Sequence, residues 1–296
     1  MTSPLRTAVV IGCGTTGTSV ALALTGAGVE VALIDGDPRA SAEAAALGAG
    51  RAWTPRLPPA DLVIVATPPS AVVDVLHSAQ SRGVGHVYTD TAATKDIVCA
   101  EAELRGCDLK GYVPGHPLAG ADAGGRAGAA ADRFTGRPWV LCPYETTPAA
   151  ALAAVTALIE LCGAHRLDLA APVHDEVLAE LSHAPHLVAA ALATRLAGSG
   201  AAYLRLAGQP LRDAVRGAGG DPWLWSDVLA HNAGPVADVL DRLADQLSRA
   251  AAILREGDAC APLELALTLQ EGRRGHAALE RAEQRTIQDA RTDRPV

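Results

Sequence analysis

The chain has 296 residues, 49% of them apolar, and its 25 basic side chains are outnumbered by 33 acidic ones for a formal net charge of −8. That length supports two modest hydrophobic cores, and a charged fraction of 20% excludes global disorder. Nothing in the acidic balance points to a nucleic-acid partner, which would normally leave a basic stripe, and an anionic substrate must find local positive groups because the whole-protein field does not attract it. In chain order, Thr7–Ile11, Val31–Ile34, Leu62–Ala66 and Val87–Thr89 are compact apolar runs, suited to strands buried on both faces of a parallel sheet. Between them Ser19–Leu24, Pro38–Leu47, Ser70–Gln80 and Asp96–Leu104 read as helices. Asp37 before Pro38 is a cap followed by proline at the first helical position. This alternation predicts a doubly wound α/β domain. Strands at Trp139–Cys142 and Arg166–Leu169, with a helix at Ala149–Leu161, complete an expected first domain of residues 1–170. From residue 171 apolar side chains recur at helical spacing, as in Val177, Leu178, Leu181 and Val236, Val239, Leu240, Leu243, Leu247, so 171–296 is expected to be an all-helical second domain.

The six cysteines form no CxxC pair, and no secretory leader or membrane-length apolar run stands in the sequence. Reduced thiols, no membrane span and a cytoplasmic location are expected.

Gly12-Cys13-Gly14-Thr15-Thr16-Gly17 is a GxGxxG turn directly after a strand and before a helix. Gly12 permits the tight turn, Gly14 lets backbone approach a pyrophosphate, and Gly17 brings helix against strand. The helix N-terminus offers free N–H groups and partial positive charge to phosphates, with Cys13, Thr15 and Thr16 as further expected contacts. Asp35 ends the second strand, where a carboxylate binds a ribose diol and repels a 2′-phosphate. NAD is therefore favoured, with nearby Arg39 keeping NADP open. Thr67-Pro68 follows another strand at the carboxyl edge of the sheet and is expected beside the cofactor.

Three further segments carry chemistry. Thr89-Asp90-Thr91-Ala92-Ala93-Thr94-Lys95 is a strand-to-helix turn, Gly115-His116-Pro117-Leu118-Ala119-Gly120 is a histidine turn, and Ser182-His183-Ala184-Pro185-His186 lies inside an otherwise helical pattern. His183 and His186 share a helical face, with Pro185 freeing the carbonyl of Leu181 and bending the helix. No third ligand accompanies the pair, so no metal is expected.

In this order behind GxGxxG, these segments resemble the prephenate dehydrogenase family, which includes arogenate-specific members. His174-Asp175, Leu211 to Arg216 and Asp221-Pro222-Trp223-Leu224-Trp225 fit the same pattern, so the resemblance covers residues 7 to 250. It implies a Rossmann-type domain, a helical dimerisation domain forming a homodimer, NAD as cofactor, and a cyclohexadienyl acid as substrate. His116 would contact the hydroxyl on the carbon that loses hydride and accept its proton, as a neutral imidazole can near neutral pH. Arg216 would hold a substrate carboxylate in its guanidinium fork. His183, His186 and the turn residues Ala93 and Thr94 would line the substrate, and Ala121 to Ala131 would cover it. Trp223 and Trp225 read as packing anchors.

The expected reaction is NAD-dependent oxidative decarboxylation of prephenate to 4-hydroxyphenylpyruvate, with arogenate or 4-amino-4-deoxyprephenate as alternative substrates. Two departures bear on that choice: Ala93 stands where the family commonly has serine, and Ala121-Asp122 where Thr-Glu or Arg-Glu is usual. No C-terminal ligand-sensing domain is expected. A β-hydroxyacid dehydrogenase would need a lysine in the helical half, and residues 171–296 contain none. A non-catalytic NAD-binding regulatory protein is the remaining alternative.

Overall fold

The computed structural model describes residues 5–118, 128–257 and 259–292. The main sheet is six-stranded and parallel throughout, in the order β3-β2-β1-β4-β5-β6. Its strands are β1 (Thr7–Ile11), β2 (Glu30–Ile34), β3 (Arg51–Ala52), β4 (Ala60–Val65), β5 (Gly85–Asp90) and β6 (Tyr112–Val113). Helices α1 (Thr15–Gly26), α2 (Pro38–Ala46), α3 (Pro69–Ser81) and α4 (Asp96–Leu104) make the crossovers. Because side chains alternate across a strand, each long strand feeds two cores. Val10, Leu62 and Ile64 pack on one face with Val20, Leu24 and Leu158. Val9, Val63 and Val65 pack on the other with Val72, Leu76 and Val98. The strand order reverses direction between β1 and β4, the switch point outside whose carboxyl edge such sheets bind ligands.

The later strands do not extend this sheet. A three-stranded sheet in the order β7-β8-β9 joins β7 (Gly115–Pro117), β8 (Pro138–Leu141) and β9 (His165–Asp168), with α5 (Ala149–Leu161) between the last two. β7 is antiparallel to β8, with His116 opposite Val140. The expected histidine turn is therefore a strand. Gly115 is what admits it: a Cβ there would stand 3.0 Å from Thr89 Oγ1 and 3.1 Å from both the Asp90 carbonyl oxygen and Trp139 Nε1.

Helices follow: α6 (Ala171–Leu178), a π turn (Ala179–His183), α7 (Ala184–Thr194), α8 (Ala201–Leu204), α9 (Gln209–Ala214), a 3₁₀ turn (Arg216–Gly219), α10 (Pro222–Ala230), α11 (Ala233–Glu256) and α12 (Ala261–Thr292). Ala184 N–H bonds the carbonyl of Ala179, so the helix widens ahead of Pro185 rather than simply bending at it. By contacts the chain forms two compact units, Met1–Val236 and Ala237–Val296. Residue 170 thus marks a change from strands to helices, and α6 to α10 pack in one unit with the sheet. Asp175 on α6 binds α4, and Asp227 on α10 binds both the N–H and the hydroxyl of Ser70 at the start of α3.

Candidate active site

Three turns meet at the carboxyl edge of the main sheet. Ala66 N–H bonds the Ile11 carbonyl at 2.7 Å, and Thr91 N–H bonds the Val65 carbonyl at 3.0 Å, which sets the turns after β1, β4 and β5 side by side. In the first, Gly12 has φ +102°, and a Cβ on it would lie 2.3 Å from the Ala66 carbonyl oxygen. A Cβ on Gly17 would lie 1.9 Å from the Gly12 carbonyl oxygen. Gly14 differs: its backbone is extended, and a Cβ there would meet nothing within 4 Å. The first two glycines are demanded by the fold itself, whereas the third opens space at the N-terminus of α1. Thr67, in the second turn, has a buried hydroxyl oxygen without a hydrogen-bond partner. An open cradle at a helix N-terminus and an orphaned hydroxyl beside it fit a dinucleotide.

Asp35 ties this turn down. Its carboxylate accepts from Cys13 N–H at 2.6 Å and Asp37 N–H at 2.8 Å. Cys13 also gives its carbonyl to the Thr18 hydroxyl, and its buried thiol faces the Ile34 carbonyl. Its polar atoms are thus engaged within the turn expected to hold the cofactor. Pro68 is exposed at the start of α3, and Thr15 and Thr16 are half-buried in the first turn of α1.

The third turn encloses a charged pair. Lys95 and Asp90 are fully buried and hydrogen-bonded to each other. Asp90 also accepts from Ala92 N–H at 3.0 Å, the Tyr112 hydroxyl at 2.8 Å and Gly115 N–H at 3.1 Å. A carboxylate taken out of water needs such a set of donors, and the last of them anchors the strand that carries His116. Burial, then the Asp90 charge, holds the Tyr112 phenol well above its ordinary range. Ala93 is half-buried in this turn, while Thr94 is fully buried with its hydroxyl unpartnered.

His116 is 9% exposed, and its Nδ1 lies 2.9 Å from Nε2 of His174. His174 Nδ1 in turn lies 2.7 Å from Asp175 Oδ1. Asp175 is held from the other side by Lys95 N–H and Asp96 N–H, both at 2.8 Å, so it caps α4 across 80 residues of sequence. Burial, then the neighbouring His174, Lys95 and His183, keep the His116 pKa well below the ordinary imidazole value. A neutral imidazole anchored through one nitrogen has the other left for proton transfer.

His183 is 1% exposed, and its Nδ1 lies 2.9 Å from Asn232 Nδ2, which also donates to the Asp175 carbonyl at 2.8 Å. Burial pushes the His183 pKa down to about 4. His186 is half-buried and stacks on Trp225 at 3.6 Å between ring centroids, while His183 meets the same ring edge-on at 6.3 Å. Trp225 is thus a packing anchor, but Trp223 is 85% exposed and anchors nothing within the described residues. Arg216 stands on the 3₁₀ turn with its side chain 75% exposed, bonded to Asp213 at 2.8 Å. The structure therefore gathers His116, His183 and Thr94 around Asp175 and leaves Arg216 at the surface. Most of the expected cover from Ala121 to Ala131, with the Ala121-Asp122 departure, lies outside the described residues. No group of three metal-ligating side chains occurs among the described residues.

Sequence reasoning gave no site role to His174, Asp175, Asn232, Asp90 or Lys95. The available signals were the strand-to-helix turn that contains Asp90 and Lys95 and the His-Asp dipeptide ahead of the Ser-His segment; nothing pointed to Asn232.

Comparison with known proteins follows the same division. Residues 20–167 match the family description "Prephenate dehydrogenase, nucleotide-binding domain", and residues 170–271 match "Prephenate dehydrogenase, dimerization domain". The probable prephenate dehydrogenase NovF of Streptomyces niveus is 40% identical over 252 residues, 85% of this chain and 69% of that protein. The prephenate dehydrogenase of Bacillus subtilis is 30% identical over 202 residues, 67% of this chain and 54% of that protein. A crystal structure of prephenate dehydrogenase from A. aeolicus, in complex with hydroxyphenyl propionate and NAD+, superposes with a TM-score of 0.81. It is 23% identical, with 94% of this chain and all of that one covered, a likeness of fold.

Proposed function

The chain belongs to the prephenate dehydrogenase family, and from that premise we propose that it catalyses NAD-dependent oxidative decarboxylation of prephenate to 4-hydroxyphenylpyruvate. The observation that carries this reading is His116: a buried imidazole kept neutral, anchored through Nδ1, on a strand fastened to the turn at the end of β5.

NAD would rest its pyrophosphate over Gly14 and the first turn of α1, with Thr15, Thr16 and Gly17 supplying backbone N–H groups and Asp35 facing a ribose. Thr67 and Pro68 would flank it. When bound, the cofactor accepts the hydride from the ring carbon that bears the hydroxyl. His116 takes the hydroxyl proton as that C–O bond gains double-bond character. Loss of the ring carboxylate as carbon dioxide then sends an electron pair into the ring, and the resulting phenolate recovers the proton from His116. Hydride, proton and carbon dioxide balance without another reactant.

Ala93 contributes no hydroxyl at the reacting carbon, so His116 carries that contact, and the nearest hydroxyl in the same turn, that of Thr94, is buried and unpartnered. His183 and His186 form the substrate wall. Arg216 binds a substrate carboxylate in place of Asp213, since a guanidinium fork accepts either anion. Residues 1–170 form the nucleotide-binding part and 171–296 the dimerisation part of a homodimer, a reading supported by the family match over 170–271. A cytoplasmic location fits cysteines that form no disulfide among the described residues; no helix among the described residues is long and apolar enough to cross a membrane.

The test is NADH formation by the purified protein with prephenate, arogenate and 4-amino-4-deoxyprephenate in parallel, beside a His116→Asn control. Turnover of prephenate, lost in the control while NAD still binds, is expected. Turnover of only one of the others reassigns the substrate, and NAD binding without any turnover leaves a regulatory protein.

A further inference from the structure

His116 and His183 are connected to the same residue by different routes. Asp175 reaches His116 through its carboxylate and His174, and reaches His183 through its main-chain carbonyl and Asn232. The identity of each intermediate atom fixes where the protons lie.

A carboxylate only accepts, so His174 carries its proton on Nδ1, 2.7 Å from Asp175 Oδ1. With its one ring proton held on Nδ1 by the carboxylate, a neutral His174 has a lone pair on Nε2. His116 Nδ1, 2.9 Å away, must then be the donor, and a neutral His116 is left with a bare lone pair on Nε2. On the second route a carbonyl oxygen also only accepts, so the atom of Asn232 at 2.8 Å from it is the amide nitrogen. The same nitrogen lies 2.9 Å from His183 Nδ1 and gives it the second amide proton. His183 Nδ1 is then the acceptor, and its single proton sits on Nε2. That Nε2 is buried and has no partner in the described structure.

We propose that Asp175 is the positioning residue that gives the two histidines opposite polarity, His116 Nε2 as a proton acceptor and His183 Nε2–H as a hydrogen-bond donor to a substrate oxygen. The two outcomes follow from one anchor because one chain has an imidazole between anchor and histidine and the other has an amide. An imidazole relays acceptor character from one ring nitrogen to the other. An amide nitrogen, held by a carbonyl, can only present a donor. Asp175 keeps its orientation because Lys95 N–H and Asp96 N–H grip both carboxylate oxygens at the N-terminus of α4. The role given to His116 rests on the function proposed above, whereas the proton positions do not.

The experiment is ¹⁵N–¹H long-range NMR of the ¹⁵N-histidine-labelled full chain at about pH 8, with and without NAD and with no substrate. Signals are assigned from the His116→Asn and His183→Asn spectra. Expected are an unprotonated Nε2 in His116 and a protonated Nε2 in His183. A proton on His116 Nε2, or on His183 Nδ1, overturns the proposal, and neither result depends on which substrate is used. The Asp175→Asn variant adds a kinetic readout. Its amide nitrogen must oppose either Lys95 N–H beside His174 Nδ1 or Asp96 N–H, so the variant loses one grip on the carboxylate position and with it the fixed acceptor for the His174 proton. A fall in kcat of about 10²- to 10⁴-fold is expected, with KM and NAD affinity within about threefold. Retention of kcat within threefold would overturn the proposal, and if this variant does not fold, the spectra of the unaltered protein decide alone.

Discussion

Replacing Gly14 and Gly17 by alanine separates a glycine required by folding from one required by the ligand. At Gly17 the new Cβ would arrive 1.9 Å from the Gly12 carbonyl oxygen and 3.0 Å from Ala66 Cβ. Backbone must retreat by more than about 1 Å to reach ordinary contact. Overpacking of this kind costs about 1–3 kcal/mol, and more when the obstacle is main chain. Alanine inside α1 recovers about 1 kcal/mol of helix propensity, so a net loss of about 2 kcal/mol is expected. For a chain of this size that is a fall in Tm of roughly 4–8 °C. At Gly14 the backbone is extended and the Cβ meets nothing within 4 Å, so stability should stay within about 0.5 kcal/mol. The methyl would instead occupy the space above the first turn of α1, where a pyrophosphate must approach. NAD affinity should fall by at least about tenfold, or about 1.4 kcal/mol. Thermal melts and calorimetric NAD titration of both variants check this. A Gly14→Ala protein that binds NAD as tightly as the parent refutes the assignment of that space, and a Gly17→Ala protein with an unchanged Tm refutes the packing argument.

The remaining expectations concern the charged core and the substrate. The His183 pKa is depressed to about 4 in the folded protein, against about 6.5 unfolded. Stability is therefore full above pH 6.5, falls as pH drops through that value, and levels off below about 4. The total loss is about 3 kcal/mol, seen in urea melts as a function of pH and absent in His183→Asn. In kcat/KM, the acid limb from His116 should lie below pH 6.5, since its neutral form is the active one and its pKa is lowered; a limb above 7 would contradict the assignment. Asp90→Asn leaves buried Lys95 without its counter-charge and should cost about 3–5 kcal/mol in chemical denaturation. Arg216→Lys should raise KM about tenfold or more with little change in kcat, because an ammonium lacks the planar fork; an unchanged KM would leave Arg216 as the surface partner of Asp213.

Some of this organisation is legible along the chain and some is not. Thr7–Ile11 and Leu62–Ala66 announce buried parallel strands because they are apolar on both faces, and the glycine turn follows its strand directly. β3, β6 and β7 are two or three residues long and too short to show a period. His116 reads as part of a turn because its strand pairing is made with residues beyond position 137. The interval from Ala179 to His183 has an ordinary helical pattern, and only the closed structure shows its wider turn.

The sequence by itself determined the class of the first half and the glycine cradle, and singled out His116 as a candidate, because those depend on neighbours a few residues away: a strand, a turn, a helix start. Only the tertiary structure decided what controls His116. Asp175 meets Lys95 across 80 residues, His174 meets His116 across 58, and Asn232 meets Asp175 across 57. Hydrogen-bond direction and burial are properties of atoms brought together by the fold, and no local pattern in a chain records which distant donor a buried carboxylate will find.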